Sequence, residues 1–332
     1  MRFMVIHIAT LLCSVVTTLA KRLLMSILRL WPSVMLCALS FTAIAAVEQM
    51  SFTLTNAAFA AGTSSASNPT PIKIVTTIQQ QWQFNLLKEA LRRSGKPYQV
   101  EQMSTQMNQK RNAEEALAGT VDVFWSMTSK ELEETMLPVR IPLFKGLLGN
   151  RLLIIRKSDE AKFANVKTLA DFKQLTAGQN RYWPDASILE ANGVPLVTSY
   201  QYTNLYPMLE GGRFDYLALG AQEIGDELAS HPDPALKIDS HILLQYRSPA
   251  YFFVSPKRPE LAEAILAGLE HMISDGSFDE MFNRELKIEQ LYRDAQFERR
   301  VIIRLDTPDL HPLTPIERQE LWLDLFSMQG AT

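Results

Sequence analysis

Residues 121–129 read VDVFWSMTS. The first five form an apolar run of strand length with one acid, Asp122, and the run ends in small hydroxyl-bearing residues. Upstream, residues 108–118 carry helical apolar spacing and stop at Gly119, and residues 98–103 read as a second strand. Before those, residues 82–93 space Phe84, Leu87 and Leu91 along one helical face up to Gly95, and residues 72–76 (IKIVT) are a short buried strand. VDVFW is thus the third strand of a βαβαβ series. That order predicts a parallel sheet with helices on its faces.

Downstream, residues 137–146 (LPVRIPLFKG) are mostly apolar, with Arg140 in their middle. An unpaired buried charge is too costly to tolerate, so Arg140 needs a partner in the chain or one that arrives from outside. A strong strand follows at 151–155 (RLLII). Helical patterns at 166–175, 202–210 and 223–229 then alternate with strand patterns at 195–198, 214–219, 242–246 and 251–254. Residues 259–274 form a long amphipathic helix and 278–283 a shorter one. The last fifty residues are mixed and charged, with one helix expected at 315–326.

The chain has 332 residues, 47% hydrophobic and 21% charged, enough for two ordinary lobes. A net charge of −3 gives no reason to expect a nucleic-acid partner. Residues 1–60 differ from the rest. Two apolar runs, 3–20 and 30–46, flank Lys21-Arg22, and the second has the layout of a secretory signal, with cleavage expected after Ala60. The first run is an upstream extension or a marginal membrane span. Both cysteines, Cys13 and Cys37, fall in this leader, so a processed chain would have no thiol chemistry. Removing four basic residues and one acid leaves 29 basic against 35 acidic, a net −6. Residues 61–71 (AGTSSASNPTP) are a flexible linker.

The landmarks IKIVTT, VDVFWSMTS, PLFKG before RLLIIRK, LADFKQLTAGQ, MLEGGRFDYLALG and PAYFFVSPKRPELAEAILAGLEHMISDGSFDEMF stand in one order. That order resembles the periplasmic solute-binding proteins of family 3, over roughly residues 71–283. The phrase GQNRYWPDASILEANG resembles an uncharacterised transporter substrate-binding branch of that family. The resemblance implies an α/β fold of the two-lobed periplasmic binding protein type (type II), with two hinge-crossing strands and a ligand cleft between lobes. Mapped here, lobe 1 is 71–155 plus 247–300, lobe 2 is 156–246, and 301–332 is a C-terminal extension. The crossings fall near 156–157 and 244–247. The resemblance also implies a monomer that captures a small polar ligand for a membrane permease or sensor, in the periplasm and without a cofactor.

Amino-acid binders of this family hold the ligand carboxylate with an arginine soon after the third strand and the amino group with an aspartate after the GRFD-type phrase. Here Lys130 and Glu133 stand in the first region and Leu219 at the second, so both halves of that clamp are absent. The remaining candidates each carry two readings. Arg140 is a ligand contact or an internal pair with Glu133 or Glu134. Trp125, Thr128 and Ser129 end the third strand, where a parallel sheet faces its crevice, or Trp125 is a core aromatic. Gln81 and Trp82 offer an amide and an indole, or a solvated helix start. Gln179, Trp183 and Asp185 suit a cationic or sugar-like group, or Asp185 caps a helix.

The four histidines outside the leader, His231, His241, His271 and His311, have no metal-ligand spacing. No nucleophile elbow or phosphate loop occurs either. The expectation is therefore a binding protein rather than an enzyme, without metal. A dehydratase-like enzyme on the same fold and a membrane-tethered sensory module stand as alternatives.

Overall fold

A computed structural model describes residues 68–75, 80–103 and 107–325. The leader, its cleavage site and the first apolar run lie outside these residues.

The first lobe opens with β1 (Thr70–Val75), α1 (Gln81–Arg93), β2 (Tyr98–Met103), α2 (Gln109–Ala118), β3 (Val123–Met127), α3 (Lys130–Thr135) and β4 (Leu137–Val139). Asn108 starts α2 by accepting a hydrogen bond from the Arg111 amide at 2.8 Å, and Gly119 ends it at φ 86°. β1 runs parallel to β2 and β3, as the alternating order requires.

The chain then builds the second lobe from β5 (Asn150–Arg156), α4 (Glu160–Ala164), α5 (Leu169–Phe172), β6 (Ala177–Asn180), α6 (Pro184–Ala191), β7 (Leu196–Ser199), α7 (Leu205–Glu210), β8 (Tyr216–Gly220), α8 (Ile224–Ser230), β9 (Leu236–Ile238) and β10 (Ile242–Gln245). It returns as β11 (Ala250–Val254), α9 (Pro259–Ser274), α10 (Ser277–Glu285) and α11 (Ile288–Ala295), and ends in β12 (Val301–Arg304).

The first sheet has the order β2-β1-β3-β11-β4. The returning strand β11 lies antiparallel between β3 and β4, with Phe252 opposite both Trp125 and Val139. Phe124, Phe252 and Phe253 are fully buried, and each such burial contributes roughly 1.5–3 kcal/mol. α1 and α9 pack closely on this sheet: a β-carbon on Gly268 would stand 1.8 Å from the Ala90 carbonyl oxygen.

The second sheet has the order β12-β10-β5-β8-β6-β7, with β9 also paired to β5. This moves one expected boundary. RLLII does not close the first lobe: β5 is antiparallel to β8 and β10 and lies inside the second sheet. Its residues 152–155 are buried on both faces, which is why the run lacks alternation. The first crossing therefore precedes β5. Lys145 (φ 48°) and Gly146 (φ 74°) turn the chain there, whereas Lys157–Asp159, near the expected crossing, is a 3₁₀ turn of the second lobe.

The C-terminal segment crosses twice more. β12 joins the second sheet parallel to β10. Asn192 then brackets Asp306 with two hydrogen bonds, and the Thr307 hydroxyl donates to the Arg247 carbonyl at 2.9 Å. Beyond that, Arg318 pairs with Glu270 on α9, and the Leu323 amide donates to the Lys145 carbonyl. The helix expected at 315–326 is not formed by the described residues 315–325; residues 319–321 make one 3₁₀ turn. The Trp322 indole donates to the Pro315 carbonyl at 2.9 Å, a loop closure that a helix would forbid by holding the two about 10 Å apart.

Candidate functional site

β3 delivers Met127 at its C-terminal end. β6 leads through a short turn to Asp185 in the first turn of α6, and β8 leads to Glu223. In open α/β sheets these strand ends border the ligand crevice. All three residues meet one guanidinium. Arg151, the second residue of β5, puts Nη2 2.5 Å from Asp185 Oδ1 and 3.1 Å from the Met127 sulfur, and Nη1 3.4 Å from Glu223 Oε1. Its Nε donates to the Tyr246 hydroxyl at 3.0 Å, and that hydroxyl donates onward to Asp185. Tyr246 belongs to the second crossing and Met127 to the first lobe, so the cluster sits at the seam between lobes.

Arg151 and Asp185 are each 2% exposed. Burial alone would lower the Arg151 pKa, but Asp185, Tyr246 and Glu223 outweigh it and hold the guanidinium charged. Partial desolvation raises the Glu223 carboxyl above the usual range although its side chain is 37% exposed, against the pull of Arg151 and of the Gly220 N–H, which donates to it at 2.8 Å. Burial also raises the Tyr246 phenol well above its ordinary value, so it stays a neutral donor.

An aromatic group adjoins this cluster. Trp183 lies against Tyr202, with ring centroids 5.1 Å apart. The Tyr202 and Tyr206 hydroxyls both reach Glu227 Oε2, at 2.8 and 3.3 Å, and His231 stacks on Tyr206 at 3.8 Å. Gln179, near the end of β6, is fully buried; its Oε1 accepts from the Asn180 amide, while its Nε2 has no partner.

The other residues singled out in the sequence have the following partners. Arg140 Nη2 donates to Glu133 Oε2 at 2.7 Å, and Thr128 donates to the other oxygen of the same carboxylate at 2.7 Å. Ser129 caps α3 by accepting from the Leu132 amide. Trp125 packs edge-on to Phe144. Trp82 is a core residue. Its indole N–H is satisfied by the Leu143 carbonyl at 3.2 Å, and its ring meets Phe278 and Phe282 edge-on. Gln81 is exposed and donates to Asn85 one turn along α1. A groove of about 850 Å³ lies on the flank of the first lobe, between α1, β2 and α10, and is lined by exposed charges such as Lys88 and Arg284.

Arg151, Tyr246 and Glu223 are the members of the cluster that sequence reasoning missed. The available signal resembled the one that singled out Arg140: a fixed charge, here bordering the apolar run of RLLII.

No family model matches the chain, and no curated protein matches it. Solved structures do. An ancestral arginine-binding protein bound to glutamine is 18% identical, with a TM-score of 0.50, over 65% of this chain and 97% of that one. AbpA of Streptococcus pneumoniae, an amino acid ABC transporter substrate-binding protein bound to L-arginine, is 15% identical, with a TM-score of 0.50, over 65% and 94%. A structure describing glutathione import through GshT of Streptococcus mutans gives 14% and 0.50, over 66% and 95%. At these identities the likeness shows the fold: the chain has the two-lobed α/β architecture of the type II periplasmic binding proteins.

Proposed function

We propose that this protein is an exported solute-binding protein that captures a small polar solute bearing a cationic group between its lobes and presents it to a membrane transporter or sensor. The observation that carries the reading is the convergence of the C-terminal ends of β3, β6 and β8 on one buried charged cluster at the interlobe seam. The charge balance there favours a cation: Asp185, Glu223 and the neighbouring Glu227 stand against Arg151. The rings of Trp183 and Tyr202 add faces on which a cation can rest. The fold is that of substrate-binding proteins of importers, among them one bound to L-arginine. The basic and apolar leader supports export, and among the described residues no helix is long and apolar enough to cross a membrane.

Native mass spectrometry of protein recovered from the periplasm tests this. The expected result is a chain that begins at Ala61 and carries a small cation in one-to-one stoichiometry. Retention of residues 1–60 with no bound solute would favour a tethered module instead.

A further inference from the structure

We propose that the groove on the flank of the first lobe is a docking surface for an extended, acidic segment of a partner protein, which adds as a further strand to the free edge of β2. The groove has a volume of about 850 Å³ and shares no residue with the interlobe cluster, so the proposal stands or falls apart from solute capture. Its floor strand, β2, is the end strand in the order β2-β1-β3-β11-β4. The Thr70 N–H donates to the Pro97 carbonyl at 2.8 Å, and the two strands run parallel with Thr70 opposite Tyr98. In that ladder Gln99 and Glu101 turn their backbone groups toward β1, while Tyr98 and Val100 turn theirs outward. Among the described residues those outward groups have no partner.

An open strand edge invites pairing, and proteins guard such edges with lysine, proline or a bulge. β2 (YQVEQM) holds none of these, and its six residues pair with β1 in unbroken register. Its one charge, Glu101, alternates to the face opposite Tyr98 and Val100. Those two side chains line the groove with Leu91, Met272 and Met281, so alternate side chains of an added strand meet an apolar floor. The rim sets the sign of the partner. Arg92 is engaged by Glu89 through two hydrogen bonds. Lys88 and Lys96 are exposed and pair with no carboxylate among the described residues, and Arg284 meets Glu285, its neighbour in sequence, at 3.6 Å. With Glu89 engaged, Glu280 is the remaining acid of the lining against these three cations. On a chain of net charge −3 this is a local excess of positive charge, complementary to an acidic segment. A concave apolar floor beside a strand edge accepts an extended chain, whereas a bilayer surface would meet the rim alone.

The test is fluorescence anisotropy with a labelled octapeptide of alternating glutamate and valine. The expected result at about 50 mM salt is one-to-one binding that weakens as salt is raised. The lysine–valine counterpart is expected to bind about ten-fold more weakly or less. The K88E/K96E variant should lose about ten-fold in affinity for the acidic peptide through the rim charges. Val100→Pro removes an outward N–H and leaves every bond to β1 in place, a substitution that an edge strand tolerates, and should also cost about ten-fold. If V100P does not fold, amide exchange in the wild type takes its place: the Tyr98 and Val100 amides should slow about ten-fold or more when the acidic peptide is added. Absence of binding, equal binding by K88E/K96E or by folded V100P, or edge amides that do not slow overturns the proposal. So does co-sedimentation of the wild type, but not of K88E/K96E, with phosphatidylglycerol vesicles when no peptide binds, which assigns the rim to a membrane surface instead.

Discussion

Gly149 lies so close to Tyr246 that a β-carbon on the glycine would stand 2.0 Å from the tyrosine carbonyl oxygen. The Tyr246 amide in turn donates to the Gly149 carbonyl at 3.0 Å. The two crossing segments thus touch backbone to backbone, directly beside the residue whose hydroxyl links Arg151 to Asp185. Gly149→Ala has no flexible side chain to push aside. It is expected to destabilise the protein by about 3 kcal/mol, read by denaturant unfolding, and to weaken solute capture by moving Tyr246.

Arg140→Met removes the partner of Glu133, whose side chain is 1% exposed and whose carboxylate also accepts from Thr128. The expected cost is about 2 kcal/mol, with solute affinity unchanged. The double variant R140M/E133Q should regain part of that stability because no charge is left buried. Equal loss of stability and of solute affinity in R140M would instead place Arg140 at the ligand.

Trp322 ties the C-terminal segment to the first crossing. Its ring covers Gly146, where a β-carbon would stand 2.6 Å from it, and Arg247 lies over the ring at 5.9 Å. Trp322→Ala is expected to cost about 2 kcal/mol and to speed amide exchange at Leu323, which donates to Lys145. Unchanged exchange there would mean that the segment is held by the Arg318–Glu270 pair instead.

Glu223 predicts a pH dependence. Partial desolvation raises its carboxyl in the folded protein, so the folded state binds the proton more tightly than the unfolded chain does. Its contribution is fully present below the ordinary glutamate pKa and is lost as pH rises through the raised folded value. The melting temperature of Glu223→Gln minus that of the wild type should therefore climb as pH rises above the ordinary glutamate pKa. A difference that stays flat or falls would contradict the raised carboxyl.

Much of the fold is legible in the sequence because local patterns carried it. IKIVT, VDVFW and RLLII are strands whose neighbours and hydrophobicity agree, and the helix starts at Asn108 and Thr168 have chemical caps. What was not legible depended on pairing across long separations. RLLII alone does not say which sheet it joins; β8 and β10, contributed from residues 216 and 242 onward, decide that. The helical look of residues 315–326 gave way to the Trp322–Pro315 loop closure. Asp185 drew attention through its aromatic neighbours, but its partner Arg151 lies 34 positions earlier and looked like the polar end of a strand. Trp82 looked like a free indole because Leu143, its hydrogen-bond acceptor, is 61 positions away.

The most direct test of solute capture at the seam is calorimetric titration of the purified protein, and of its Asp185→Asn variant, with matched small solutes. The series should pair guanidines and amines with carboxylates of the same length. The expected result is one-to-one binding of a cationic member by the wild type, at least ten-fold weaker in D185N, with no binding of the carboxylates. Binding of a carboxylate instead, or a cation bound equally well by both proteins, would contradict capture at the Arg151–Asp185 seam.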